Sequence, residues 1–169
     1  DQAVPPHTIT ISNASLTLAG ASEEEGVTAY RIEHYLEKGG SYVLDKVSQG
    51  VAATDSVVDA AADGLYLGYE GYEPVTTVAG SVTSGNVGNV SNSLTLKLYY
   101  KAKTYKVTYV LNNPAAKNSL FNKSKYSFGT GLALKDASCS GKVFNGWYFD
   151  EACTRYTNCI PTNQTGDVT

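Results

Sequence analysis

Methionine is absent from this 169-residue chain, tryptophan occurs once, histidine twice and cysteine three times. Charged residues make up only 17%, below the ~25% of an ordinary soluble domain. Each shortage excludes something. Thirteen Lys and Arg against sixteen Asp and Glu leave a net charge of −3. No basic face can form, which excludes nucleic-acid binding through phosphates. No apolar run approaches the roughly 18 residues of a membrane-spanning helix, so no membrane insertion is expected in this segment. No signal peptide is visible. The chain begins at Asp1 without Met and reads as a processed piece of a longer protein, so a missing leader says little about compartment. There is no C-x-x-C, and neither histidine is near a cysteine in sequence, which argues against zinc; no cofactor is called for. Cys139, Cys153 and Cys159 all lie in the last quarter. An odd count permits one disulfide and one free thiol. Cys153 and Cys159, separated by a short turn-like stretch, are the candidate pair, subject to strict geometry.

What is present is aromatic and β-branched. Thirteen Tyr, four Phe and one Trp bring aromatics to 11%, and such side chains suit a pleated, half-buried surface. The expected class is mainly β or α+β. An internal echo supports two units: "YRIEHYL" at Tyr30 returns as "YKVTYVL" at Tyr105, each a Tyr, a basic residue, then alternation. Between them "LTLKLYYKAKTYKVTYVL" looks like one overlong strand. Its phase says otherwise. Leu94, Leu96, Leu98 and Tyr100 share one face, whereas Tyr105, Val107, Tyr109 and Leu111 have the opposite parity. A one-residue shift turns every side chain to the other face. Two strands therefore meet at "KAKT", which lacks the Gly, Asn or Asp of a tight hairpin. The seam between two modules lies there.

The first module then spans 30–101 and the second 104–169; residues 1–29 read as a linker or the end of a preceding module. In the first, "EKGGS" supplies a Gly-Gly turn before a returning strand, "SYVLDKV". "DSVVDAAAD" is a short strand or one helical turn, and "SGNVGN" a loop. In the second, Asn113 and Pro114 predict the cap and first turn of a short helix over "NNPAAKNSLF". "YSFGTGLAL" contains a strand and "KVFNGWYFD" is another. Phe144 and Trp147 differ in parity, which a bulge at Gly146 would reconcile. "TITISNASLTL", near the start, alternates like a hairpin around Ser12–Ser15.

The chemistry-bearing residues mostly have plain explanations. His34 alternates with Ile32 and Leu36 and reads as a packed histidine; His7 follows "VPP" near the N-terminus and reads as mobile. Glu23, Glu24 and Glu25 are a solvated run. Asp55, Asp59 and Asp63 recur every four residues, a surface pattern rather than two carboxylates facing across a cleft. "GNVGN" lacks the Lys-Ser/Thr of a phosphate loop. Tyr66, Tyr69 and Tyr72, spaced by three through glycines, either fill the core or present flat faces that stack on sugars. They are the candidate ligand-contact aromatics. No catalytic or metal-ligating residue is expected.

By these residues the second module, "YKVTYVLNN…YSFGTGLALKD…GKVFNGWYFDEACT…IPTNQTGDVT", resembles the Listeria–Bacteroides repeat, also called the internalin B repeat. Phe144, Gly146, Trp147, Tyr148 and Asp150 stand at that family's strongest motif, which implies that Trp147 packs. The first module, through Glu33, His34, Tyr35, Leu36 and the closing "LKLYY" of Leu96–Tyr100, resembles the mucin-binding-protein-like repeats of Gram-positive surface proteins, more loosely in its middle. The resemblance implies two tandem small β-grasp-like modules in an extracellular, cell-wall-attached or secreted adhesin-type protein. The implied role is non-catalytic: a spacer, a weak multivalent contact to host glycan or surface protein, or both, beside neighbouring modules of the same chain. A carbohydrate-binding accessory module of a secreted enzyme is the alternative. The family continues into a final apolar strand where this sequence stops at "GDVT". The second module is thus expected to be open at one edge or completed by another segment, such as residues 8–18 of this or a neighbouring chain. Complete cover of Val107, Tyr109, Phe144 and Trp147 by their own module would contradict that.

Overall fold

The computed structural model describes residues 26–169. The readings made for His7, the acidic run and the hairpin around Ser12–Ser15 fall outside them. The class is mainly β: twelve strands in several small sheets, with no helix among the described residues.

The first module is built on one four-stranded sheet. From Tyr30 onward β1 (Val27–Lys38) alternates strictly, so Tyr30, Ile32, His34 and Leu36 enter the core together. Gly39 and Gly40 then take left-handed backbone angles, φ 61° and 83°, and fold back β2 (Ser41–Ala53). A Gly-Gly pair adopts two such residues in succession without strain. A register shift between His34 and Tyr35 makes a bulge at Asp45, in the middle of this edge strand. Bulges and charges at an edge discourage pairing with other chains. β3 (Val57–Asp59) pairs with β5 (Ser84–Asn86), so "SGN", expected as loop, is partly strand. Between them, "DAAAD" closes as a turn in which the Asp59 carboxylate accepts the Ala61 and Ala62 amides. Asp59 and Asp63 thus belong to a turn and form no helical stripe. β4 (Tyr72–Val75) lies antiparallel to β6 (Thr95–Ala102). β6 in turn runs parallel to β1, giving the order β2-β1-β6-β4. The central parallel pair carries the core, where Leu96, Leu98 and Tyr100 are fully buried.

The second module has much shorter strands. β7 (Thr104–Lys106) pairs with β8 (Lys125–Ser127), β9 (Leu132–Ala133) with β12 (Cys159–Ile160), and β10 (Trp147–Tyr148) with β11 (Tyr156–Thr157). Its buried core is small: Val107, Tyr126 and Ile160, flanked by half-buried Tyr109, Leu132, Leu134 and Val168. So little burial leaves a unit of this size near the margin of independent stability.

Two expectations fail here for physical reasons. The segment after Asn113 is not a helix. Asn113 accepts the Ala115 amide through its side chain and the Ala116 amide through its carbonyl. Lys117 is then drawn into an extended bridge with Ser138. Leu120 and Phe121 remain 100% and 82% exposed, so a helix would have had no apolar face to bury. Nor does "KVFNGWYFD" form one long strand. Only Trp147 and Tyr148 pair, and Gly146, at φ 126°, lies just before that pair and outside any strand, so it forms no bulge. It still brings Phe144 and Trp147 together, with ring centroids 5.2 Å apart.

All three cysteines are free thiols. Cys153 occupies a left-handed turn position (φ 55°), while Cys159 is held on β12 opposite Ala133. The Cys153–Cys159 bridge is not formed. Titration of the native protein with an aromatic disulfide reagent should release two equivalents quickly, from exposed Cys153 and Cys159, and a third more slowly from half-buried Cys139. A single reactive equivalent would mean that a disulfide is present.

Candidate functional site

Three features stand out from the rest of the surface: a tyrosine-rich core edge, the seam between the modules, and an open cleft in the second.

Tyr66, Tyr69 and Tyr72 come together around Tyr100. Tyr69 meets it edge-on at 4.8 Å and Tyr66 at 6.0 Å, and Tyr72 contacts Tyr69 at 6.5 Å. All three are half-buried and pack on the first module's core. The Tyr69 hydroxyl is buried without a hydrogen-bond partner among the described residues. Burial first, then the nearby Asp45 carboxylate, push its pKa to about 12. Asp45 acts on the hydroxyl as a nearby charge rather than as a hydrogen-bond partner.

Beneath them lies a polar line that sequence reasoning saw only in part. His34 Nδ1 is 2.8 Å from the Tyr100 hydroxyl and Nε2 is 3.2 Å from Ser48 Oγ. The Leu67 amide donates to the same Tyr100 oxygen at 2.9 Å. The consistent assignment has Nε2–H donating to Ser48 and Nδ1 accepting the Tyr100 proton. Ser48, on β2, was not singled out; it comes beside His34 only because the bulge at Asp45 shifts the hairpin register by one residue and sets Ser48 opposite Ile32. A Ser–His contact is one element of a nucleophilic site. Here, however, His34 is 1% exposed and both its nitrogens are engaged within the sheet. The arrangement closes a core.

Burial first, and Lys46 second, hold the His34 pKa below the usual histidine range, opposed by Asp45. A base with a depressed folded-state pKa binds fewer protons folded than unfolded, so stability falls as pH drops. The first module should therefore be most stable above the unfolded value of ~6.5 and lose stability progressively below it. Urea midpoints at neutral and mildly acidic pH should show this, and His34→Gln should flatten the profile around that value. An unchanged profile would remove His34 as its cause.

At the seam, one residue separates β6 from β7. The Lys103 amide donates to the Gly71 carbonyl at 2.9 Å, and the Lys103 carbonyl accepts the Phe128 amide at 3.0 Å. The Phe128 ring meets Tyr72 edge-on at 5.3 Å. It also lies directly over Gly71, where a Cβ would stand 2.3 Å from the ring. Tyr72 thus serves two contacts, the tyrosine cluster and the second module.

The cleft, about 770 Å³, is lined among others by Tyr109, Leu111, Leu134, Phe144, Trp147 and Val168. Trp147 donates to the Lys135 carbonyl at 2.9 Å and meets Tyr109 edge-on at 5.2 Å. Val107 is buried, but Tyr109, Phe144 and Trp147 are only half-buried. Among the described residues no His, Cys, Asp and Glu cluster is placed to hold a metal ion. Among the same residues no helix is long and apolar enough to cross a membrane.

Comparison of the chain with protein-family models, with curated proteins and with solved structures finds no match in any of the three.

Proposed function

We propose that this chain is a non-catalytic tandem spacer of a bacterial cell-surface, adhesin-type protein, lying outside the cell and attached to the wall or secreted. The observation that carries this reading is the seam. Relative motion is the default for small domains joined in tandem. Here a single linking residue is hydrogen-bonded into both modules, and an aromatic ring from one closes on a glycine of the other. A pair so joined transmits position along its length, which is what a spacer must do. The resemblance to the Listeria–Bacteroides and mucin-binding-protein-like repeats, both β-grasp-like in expectation, points the same way. The tyrosine cluster supports it too, since these rings spend their edges and faces on one another.

A second reading, the carbohydrate-binding accessory module, is favoured by the aromatic cleft, where Tyr109, Phe144 and Trp147 are half-exposed. The two separate in one experiment. The pair is inserted in increasing copy number between a wall anchor and a reporter binding domain. The spacer reading expects capture of a bulky target to rise with copy number, while the pair alone gives no signal on a glycan array. Glycan binding by the pair alone, lost in Trp147→Ala or in Tyr72→Ala at retained thermal stability, would replace it with the second reading.

A further inference from the structure

One turn of the second module carries apolar residues where turns ordinarily carry polar ones. Lys117 bridges Ser138, and each amide donates to the other's carbonyl, at 2.8 and 2.9 Å. Further on, the Asn122 side chain lies against Lys135 as a peptide group would. Its Oδ1 accepts the Lys135 amide at 2.7 Å, and its Nδ2 donates to the Lys135 carbonyl at 2.8 Å. Between these two clamps the chain leaves the body of the module and returns. The Asn122 amide closes the excursion on the Ser119 carbonyl at 3.1 Å, so Leu120 and Phe121 take the two corner positions. Gly, Pro, Asn, Asp and Ser dominate such corners. Here the corner residues are the most exposed large apolar pair of the molecule, at 100% and 82%. A lone exposed apolar side chain needs no explanation. Two adjacent ones on a clamped base are held away from the core they would otherwise join.

The charge around this tip is of one sign. The net charge of −3 hides a division along the chain: residues 1–103 hold twelve Asp and Glu against six Lys and Arg, whereas residues 104–149 hold six Lys against Asp136 alone. Four of these lysines belong to the base of the turn. Lys117 and Lys135 are the clamp residues themselves, and Lys123 and Lys125 follow directly after Asn122. All four are exposed, and none is in an ion pair among the described residues.

An apolar tip above a cationic collar is complementary to an anionic lipid surface, which offers phosphates at the level of the collar and hydrocarbon beneath them. We propose that Leu120 and Phe121 dip into the acyl boundary of an anionic phospholipid bilayer while Lys117, Lys123, Lys125 and Lys135 meet its headgroup phosphates. The contact is with one leaflet and crosses nothing, so it requires no membrane-spanning helix. A soluble polyanion would use the lysines and leave the tip in water. A neutral apolar pocket on a protein would use the tip and has no need of four unpaired cations. The proposal does not depend on the spacer reading.

The test floats the 169-residue chain with vesicles of phosphatidylglycerol, and with vesicles of phosphatidylcholine as the neutral control. Binding is expected to the first alone and should weaken as salt rises. Leu120→Ser with Phe121→Ser should lower the partition by about tenfold or more. Both side chains lie in solvent, so this variant should keep native Trp147 emission. Lys123→Gln and Lys125→Gln should each lower the partition by about fivefold. Phe121→Trp reads the tip directly: its added emission should shift to the blue on phosphatidylglycerol and stay unchanged on phosphatidylcholine. Four results would overturn the proposal. One is a wild-type chain that does not bind phosphatidylglycerol. Another is binding that survives Leu120→Ser with Phe121→Ser, which would make the lysines a site for any polyanion. The third is equal binding to both lipids, in which the lysines take no part. The fourth is a Phe121→Trp emission that stays red on vesicles to which the chain is bound.

Discussion

Replacing Tyr100 with Phe should destabilise the first module by about 2–4 kcal/mol, although only one oxygen is lost. That oxygen accepts the Leu67 amide and bonds His34 Nδ1. Tyr100 is fully buried, so water cannot replace it. Two buried groups are left without partners, and each carries a desolvation cost of ~1–3 kcal/mol. The loss of stability should appear in tyrosine near-ultraviolet dichroism during denaturation, because the only tryptophan lies in the second module. Tyr66→Phe provides the comparison, since Tyr66 touches Tyr100 only through its ring; its effect should stay below about 1 kcal/mol. Equal effects from the two substitutions would show that the Tyr100 hydroxyl contributes nothing particular.

The second large effect is expected at Gly71. A methyl group there meets two obstacles: a left-handed backbone, φ 76°, and the Phe128 ring at 2.3 Å. The backbone alone costs ~1–2 kcal/mol. The ring cannot simply yield, because it also packs against Tyr72 and its own amide is held by Lys103. Gly71→Ala should therefore lower stability by about 2–4 kcal/mol and separate the modules. Gly64→Ala isolates the backbone part, since Gly64 has a similar φ of 65° and open space where the methyl would go. It should cost only the backbone strain and leave the modules coupled. If both variants keep the seam closed, Phe128 does not hold it.

Where a long alternating pattern meets a clear turn, the sequence specifies its own structure. The Gly39–Gly40 hairpin, the inward set of Ile32, His34 and Leu36, and the change of phase between Tyr100 and Tyr105 could all be read directly. Each depends only on a period of two and on the chemistry of glycine. The second module was far less legible. Its strands are two or three residues long, too short for any period to show. Asn113 and Pro114 gave an honest helix signal, but no apolar face followed to stabilise a helix, and Leu120 and Phe121 stay in solvent. The break between β6 and β7 was legible from phase alone, but the contacts around it were hidden. Nothing in sequence pairs Gly71 with Phe128, 57 positions away, or Ser48 with His34. The tyrosine triplet illustrates the same limit: spacing brought Tyr66, Tyr69 and Tyr72 to notice, while only the fold shows Tyr100 at their centre and Tyr72 turned toward the second module.

Rigidity across Lys103 is the central claim, and backbone nitrogen-15 relaxation measures it directly. Amides of β1 and β6 report the tumbling of the first module, and those of β7, β8 and the Val107–Val168 bridge report the second. The measurements are made at low protein concentration. If the seam holds, both sets fit one common rotational correlation time, that of the whole pair. Gly71→Ala then splits them into two shorter times. Two distinct, shorter times in the chain with Gly71 intact would contradict the claim and return the pair to two beads on a flexible string.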